Sequence, residues 1–282
     1  MNARTITTLA GLASITSLAM ANPTLYMTSG HQMYRIDLGL EPDIEGGEVG
    51  GPQVSVFQMD RLIVSLTSGD NGELWGTERY DSNENGFHAL YRFDDINTTP
   101  VMTMQGDFLV DYNSTMTNVS GTLHAFNDAS RELLALDHEN DTFSVVGSYA
   151  DLPFTPASSG YDAQTDALYG LKIDELYRFN INPTTESSLT TQKIADLDFG
   201  GIIGASGGEI IDGVYYHGIV DANMVMHLFT IDLLTGATEE ILAFEVSESG
   251  AFGLAGFDAP VPTPGTMALL ALGGFFSVRR RR

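Results

Sequence analysis

The chain has 282 residues, of which 43% are hydrophobic, so it can bury a core as one large domain or two small ones. It carries 37 acidic residues against 13 Lys plus Arg, a formal net charge of −24. Nucleic acids and anionic membrane surfaces bind basic patches, so this balance argues against both as partners. The absence of cysteine excludes a disulfide framework, thiolate metal ligands and a cysteine nucleophile.

Residues 1–21 have the layout of a secretory signal peptide. Arg4 gives a positive start, Leu9–Met20 is apolar and uncharged, and Ala19 and Ala21 form a small-x-small cleavage site. Cleavage there would start the mature chain at Asn22. The alternative interpretation is a buried N-terminal helix.

Residues 261–282 form a second candidate targeting segment. A stiff polar hinge precedes an apolar stretch, Met267–Val278, which is shorter than the roughly 20 residues that span a bilayer. A basic cluster ends the chain, and such clusters stay on the cytoplasmic side of a membrane. The hinge and the cluster consist of Val261, Pro262, Thr263, Pro264, Gly265, Thr266, Arg279, Arg280, Arg281 and Arg282. This layout predicts a transient membrane stop, with a plain anchor or a disordered tail as alternatives.

This tail resembles the PEP-CTERM sorting signal of bacterial surface proteins, which an exosortase-type membrane enzyme processes. Its Pro262-Thr263-Pro264 departs from the family's Pro-Glu-Pro. The resemblance implies a protein that is exported, held transiently at the membrane by its C-terminus alone, and delivered to the cell envelope or the extracellular surface. It also implies an exosortase-like enzyme as a partner.

Residues 22–260 contain five copies of one sequence repeat. Its first motif recurs at steps of 49, 49, 45 and 46 residues as Leu25-Tyr26, Leu74-Trp75-Gly76, Leu123-His124-Ala125, Leu168-Tyr169-Gly170 and Val214-Tyr215-Tyr216. A second motif follows in each unit, beginning with Met33-Tyr34-Arg35-Ile36-Asp37. Apolar residues alternate with others in these motifs, which predicts strands, and the closing Asp or Asn predicts a turn.

Two further strands are predicted in most units. The last strand of each unit is expected at Val54–Phe57, Met102–Met104, Phe143–Val146, Ile241–Phe244 and, less clearly, around Lys193. The first strand is expected at Leu62–Leu66, Phe108–Tyr112, around Tyr161 and at Ile202–Ile211. The first unit lacks its own first strand, and Phe252–Asp258 at the other end of the domain can supply it.

Four antiparallel strands repeated every 40 to 50 residues are typical of a β-propeller. The sequence therefore predicts an all-β, five-bladed β-propeller of four-stranded antiparallel blades, closed by a C-terminal strand joining the N-terminal blade. Helical signal segments are expected at both ends. The repeats resemble YVTN-like and other short bacterial propeller repeats. A six-bladed ring and a β-sandwich are the alternatives.

Four carboxylates are expected on or beside the inner strands, namely Asp111, Asp162, Glu209 and Asp258. A glycosidase needs an acid and a second carboxylate about 5 to 9.5 Å apart. The competing interpretation makes them turn residues, because Tyr161-Asp162-Ala163 and Phe257-Asp258-Ala259 occupy the same place in two repeats.

Motifs for metal or cofactor binding are scarce. Asp81–Gly86 matches the first half of a calcium loop, but the twelfth position is Arg92 instead of a bidentate Glu. Either a loosely bound Ca²⁺ or a polar hairpin loop accounts for it. No other cofactor, no metal site and no nucleotide loop are predicted.

These observations favour an exported, non-enzymatic binding or scaffold module at the cell surface. Its partner would be a glycan, an exopolysaccharide or a surface protein. The alternatives are a surface-attached polysaccharide hydrolase or lyase that uses inner-rim carboxylates, and a purely structural envelope component.

Overall fold

The computed structural model describes residues 23–39, 52–69, 72–78, 88–96, 99–108, 113–181, 189–248 and 252–257. Within these ranges the regular secondary structure consists of β-strands. They are β1 (Thr24–Ser29), β2 (Gln32–Asp37), β3 (Gln53–Gln58), β4 (Ile63–Ser68), β5 (Leu74–Glu78), β6 (His88–Asp94), β7 (Val101–Phe108), β8 (Asn113–Val119), β9 (Thr122–Asn127), β10 (Glu132–Asp137), β11 (Thr142–Ser148), β12 (Ser158–Asp162), β13 (Ala167–Lys172), β14 (Glu175–Asn180), β15 (Thr190–Asp196), β16 (Gly204–Ile211), β17 (Val214–Asp221), β18 (Val225–Ile231), β19 (Thr238–Glu245) and β20 (Phe252–Phe257).

The strands form five antiparallel four-stranded sheets. Blade 1 has the order β20-β1-β2-β3, and blades 2 to 5 are β4–β7, β8–β11, β12–β15 and β16–β19. The inner strands β20, β4, β8, β12 and β16 contact one another in a ring. The prediction of an all-β, five-bladed propeller is confirmed. The predicted signal segments, 1–21 and 261–282, lie outside the described residues. Within the described part of the chain, no helix has the length and apolarity to cross a bilayer.

The ring closes where the two ends of the repeat region meet. Strand β20 pairs antiparallel with β1, so that Leu25 lies opposite Gly256 and Ser29 lies opposite Phe252. The predicted joining strand is therefore confirmed over Phe252–Phe257. Strand β20 is thus the inner strand of blade 1, and it covers the edge of β1 that would otherwise be free to pair with another chain.

The repeated aromatic motif forms the core between blades. Its residues fall on the second strand of each blade, where Tyr26, Trp75, Tyr169 and Tyr215 are buried. In the cluster between blades 4 and 5, for example, Tyr169 and Tyr215 pack together with Phe229. Apolar residues on both faces of a blade are needed because each blade is covered by a neighbour on either side.

The predicted first strand of blade 3 differs from the structure at Phe108, which is the last residue of β7. The inner strand β8 is described over Asn113–Val119, and the predicted residues Leu109–Tyr112 lie outside the described residues. The sequence of β8 is Asn-Ser-Thr-Met-Thr-Asn-Val, so it lacks the apolar alternation on which the prediction relied. Its backbone amides instead hydrogen-bond side chains of the neighbouring inner strand, as in Met116 N–H to Ser65 Oγ at 2.8 Å.

The inner strands approach so closely that glycine is required at several contacts. A Cβ on Gly253 would lie 2.5 Å from the backbone nitrogen of Leu66, and one on Gly207 would lie 2.8 Å from that of Leu254. The space between Ser65 and Gly207 on the axis is too small to admit a water molecule. The axis is therefore a packed core and not a pore.

We expect Gly253→Ala to destabilise the fold by roughly 1–3 kcal/mol, because the added methyl group meets backbone atoms that cannot move aside. Gly147→Ala on β11 is the matched control, since its nearest atoms belong to the flexible side chain of Leu189. Chemical denaturation of both variants measures the difference. Equal losses of unfolding free energy would show that the axis is not specially packed.

Candidate functional site

The C-terminal ends of all five inner strands line one cavity of about 760 Å³. We call this cavity the mouth and define it by one residue from each inner strand, namely Ser68, Asn118, Tyr161, Ile211 and Phe257. Its volume lies within the range of small-molecule sites. Because the axis beneath it is closed, a ligand entering the mouth rests on the ends of the inner strands.

Polar groups from different blades converge on the mouth. Arg35 of blade 1 lies beside Asp37 at 3.1 Å. From blade 4, the Tyr161 hydroxyl donates to Asp166 Oδ1 at 2.6 Å, and the exposed side chain of Gln164 lines the same cavity. A guanidinium, a phenol and an amide at one rim can hydrogen-bond a ligand rich in hydroxyl groups.

Asp162, one of the four predicted candidate carboxylates, lies at this rim but holds its own turn. Its Oδ1 accepts the backbone N–H of Gln164 at 3.0 Å, and its Oδ2 accepts the hydroxyl of Thr165 at 2.5 Å. The side chain is also buried. This is the hydrogen bonding of an Asx turn, so the structure supports the turn interpretation of Asp162.

Glu209, the second candidate, lies on β16 below the mouth and joins three blades. Its Oε2 accepts the hydroxyl of Thr67 at 2.9 Å and the backbone N–H of Ser68 at 3.2 Å, both on blade 2. The Thr67 hydroxyl in turn accepts the backbone N–H of Asn118 of blade 3 at 3.0 Å. Glu209 is only 4% exposed, and burial raises its pKa to about 8. It is therefore protonated at neutral pH.

The two described candidate carboxylates, Asp162 and Glu209, both have structural hydrogen-bond partners. Asp162 is held by its turn, while Glu209 accepts hydrogen bonds from the Thr67 hydroxyl and the backbone N–H of Ser68. Asp111, Asp258 and the Asp81–Gly86 loop lie outside the described residues. Within the described ranges, no three His, Asp or Glu side chains are grouped so that they could hold a metal ion.

Sequence reasoning missed the hydroxyl groups that tie the inner strands together. Besides Thr67, the Thr115 and Ser159 hydroxyls lie 3.1 Å apart between blades 3 and 4, and the Ser65 hydroxyl accepts the backbone N–H of Met116 at 2.8 Å between blades 2 and 3. The signal was present in the sequence, because Ser and Thr recur in most of the inner strands. It went unused because small polar residues carry little weight in a search for apolar periodicity.

His217 shows that buried polar groups near the axis are structural. It lies within a hydrophobic region, with its Nδ1 3.3 Å from the hydroxyl of Ser158, which also lies 2.9 Å from the Tyr215 hydroxyl. Burial lowers the pKa of His217 to about 3, so the ring stays neutral at physiological pH. A neutral ring with a hydroxyl partner packs here without a buried charge.

Comparison with known proteins identifies the architecture but not a family. No family model and no curated protein matches the chain. Among solved structures, one titled as a nidogen/laminin complex aligns with a TM-score of 0.51 and 10% identity over 83% of this chain and 98% of that chain. A putative 6-phosphogluconolactonase from Bacteroides fragilis aligns with a TM-score of 0.40 and 12% identity over 82% of this chain and 84% of that chain. At 10% identity, the likeness to the first of these structures is one of fold alone.

We expect the free energy of unfolding to fall as pH rises, because burial in the folded protein raises the pKa of Glu209 from 4.5 in the unfolded chain to about 8. The folded state then holds a proton that the unfolded state has lost, at up to about 1.4 kcal/mol per pH unit. His217 opposes this trend only below its unfolded value of 6.5. The informative window is therefore pH 6.5 to 8.

Denaturation of wild type and Glu209→Gln across this window tests the assignment. The amide stays neutral, so the variant should lose most of the pH dependence. Glu239→Gln, an exposed change on β19, is the matched control and should keep it. An unchanged slope in Glu209→Gln would mean that Glu209 does not titrate between the folded and unfolded states.

Proposed function

We propose that the chain is an exported, non-enzymatic binding module that holds a glycan of the cell surface at the mouth of its propeller. The observation that carries this proposal is an open cavity of about 760 Å³ lined by polar groups from several blades over a closed axis. Such a cavity binds at the face of the ring and has no tunnel for threading a polymer.

The chemistry of the mouth suits a sugar. Sugars present hydroxyl groups at their edges and apolar C–H faces, and the mouth offers both kinds of partner. Arg35, Tyr161 and Gln164 supply polar groups, while Ile96 and the ring of Phe257, both partly exposed, supply apolar surface. Because the protein carries a net charge of −24, we propose a neutral glycan, since an anionic one would be repelled.

Binding is favoured over hydrolysis because the two described candidate carboxylates have structural partners. Asp162 closes a turn and Glu209 joins blades below the cavity. The hydrolase or lyase alternative is left with other carboxylates, namely Asp111, Asp258 or Asp212, the last of which also lines the mouth. Shortened polysaccharide after incubation with the full chain would therefore overturn the binding proposal.

We also propose that the tail 261–282 sorts the protein to the cell surface, on the strength of its resemblance to a PEP-CTERM signal. Replacing Arg279, Arg280, Arg281 and Arg282 by Gln should remove the cytoplasmic stop, so that the chain is released instead of surface-retained. Fractionation of exosortase-bearing cells measures this. Unchanged surface retention would contradict the sorting role.

We expect Ala163→Trp to weaken glycan binding at least tenfold, a loss of about 1.4 kcal/mol, because the indole fills the mouth. Ala163 is exposed on the turn after β12 and lines the cavity. The measurement is a glycan array with the full chain, followed by titration of any glycan that binds.

Ala150→Trp is the matched control, because Ala150 is equally exposed but lies on the loop after β11, outside the mouth. It should bind as the wild type does. Equal binding by both variants would place the glycan elsewhere on the ring. Binding of a surface protein but of no glycan would replace the proposed ligand class.

A further inference from the structure

Exposed apolar side chains are concentrated on one part of the propeller rim. Of the nine large apolar residues that are exposed in the described part of the chain, six lie on the outer strands β3, β7 and β11 of blades 1, 2 and 3. They are Val54, Val56, Val101, Met104, Phe143 and Val145. These blades are neighbours around the ring, so the six residues belong to one continuous sector of the rim.

The strand register shows that the blades differ in residue type at one equivalent position of the outer strand. On the neighbouring strand, Val56, Met104 and Val145 face the second residue of the repeated motif that begins Met33-Tyr34-Arg35 in blade 1, which is Tyr34 or its equivalent. At the same register, blade 4 has Lys193 and blade 5 has Glu240. Blades 4 and 5 thus carry charges at a position where blades 1 to 3 carry apolar side chains.

Charges on an outer strand are the usual protection of a sheet edge. An unprotected edge leaves backbone N–H and C=O groups available for pairing with another strand. Strands β3 and β11 contain no charged residue at all, whereas β19 carries Glu239, Glu240 and Glu245. Leu189 N–H donates to Ser148 O at the end of β11. Within the described ranges, neither β3 nor the rest of β11 carries a charge that would oppose pairing with another strand.

We propose that these outer strands are self-association edges, at which a second copy of this chain adds its own outer strand in antiparallel pairing. The pattern of each strand is self-complementary. A two-fold axis through Ser55 places Val54 opposite Val56 of the other copy, and an axis through Ser144 places Phe143 opposite Val145.

Charge favours a second copy over a basic partner. A cationic strand would be drawn to β19 with its three glutamates, and it gains nothing from β3 or β11. Two copies of this acidic chain repel each other over most of their surfaces. They approach at least electrostatic cost where both present an uncharged edge, and added salt should strengthen that contact.

The area of one edge predicts the form of the assembly. Strand β3 has six residues and is about 20 Å long, so one edge pair covers well under the roughly 800 Å² per partner of a stable interface. A single contact is therefore transient. Several edges on each copy allow multivalent assembly, in which weak contacts add at high local concentration, as on a cell surface.

Sedimentation of the full chain over about a thousandfold range of concentration tests the proposal, without glycan so that the mouth plays no part. The wild type should associate as concentration rises, and Val56→Lys with Val145→Lys should weaken association at least tenfold. Lysine at this register is native to blade 4, so the variant should keep its melting temperature.

Ile203→Lys with Leu234→Lys is the matched control. It has the same charge change and removes apolar residues that are 68% and 88% exposed, but in segments that connect strands instead of on an edge. It should associate as the wild type does. Amide exchange should also show new protection in β3 and β11 as concentration rises.

Three outcomes would overturn the proposal. They are a wild type that stays monomeric, an edge variant that associates as strongly as the wild type, and equal weakening in both variants. Both variants keep the apolar segments 9–20 and 267–278, so association through the chain ends would give the second of these outcomes.

Discussion

The close contact of five inner strands around one axis is the constraint on which the rest of this molecule depends. At Gly160, Gly207 and Gly253 the backbones approach so nearly that a Cβ would collide with main-chain atoms of the next blade. Hydroxyl groups such as those of Thr67 and Ser65 hydrogen-bond the backbone of the neighbouring inner strand. The inner strands therefore combine small and polar residues at these close contacts with buried apolar residues, such as Leu66 and Leu254, that belong to the clusters between blades.

A closed axis decides where function can lie. Between Ser65 and Gly207 the inner strands leave no space for water, so we expect a ligand to bind at the faces or the rim. On one face the five strand ends converge into the mouth, whose lining comes from turns that differ among blades. Two acidic residues near this end, Asp162 and Glu209, illustrate how position sets their role. One is held by the amide and hydroxyl of its own turn, and the other is kept protonated by burial while it ties three blades together.

At the rim the constraint differs from that at the axis, because each blade ends there in the edge of an outer strand. Blades 4 and 5 present charges at a register where blades 1 to 3 present Val56, Met104 and Val145. The blades share one fold but differ in the surface that each offers to other molecules. Repeat proteins commonly divide labour in this way, since strand pairing constrains the inward positions and leaves the outward ones free to vary.

The sequence by itself determined the repeat length, the number of blades and the closing strand, because apolar alternation and turn residues are local signals that recur in every unit. It also indicated that the aromatic motif is core, which the burial of Tyr26 and Trp75 confirms. Only the tertiary structure decided the start of β8, the turn role of Asp162 and the burial of Glu209 among Thr67, Ser68 and Asn118. The physical reason is that polar side chains take their roles from partners on other blades, and those partners are brought together only when the ring closes.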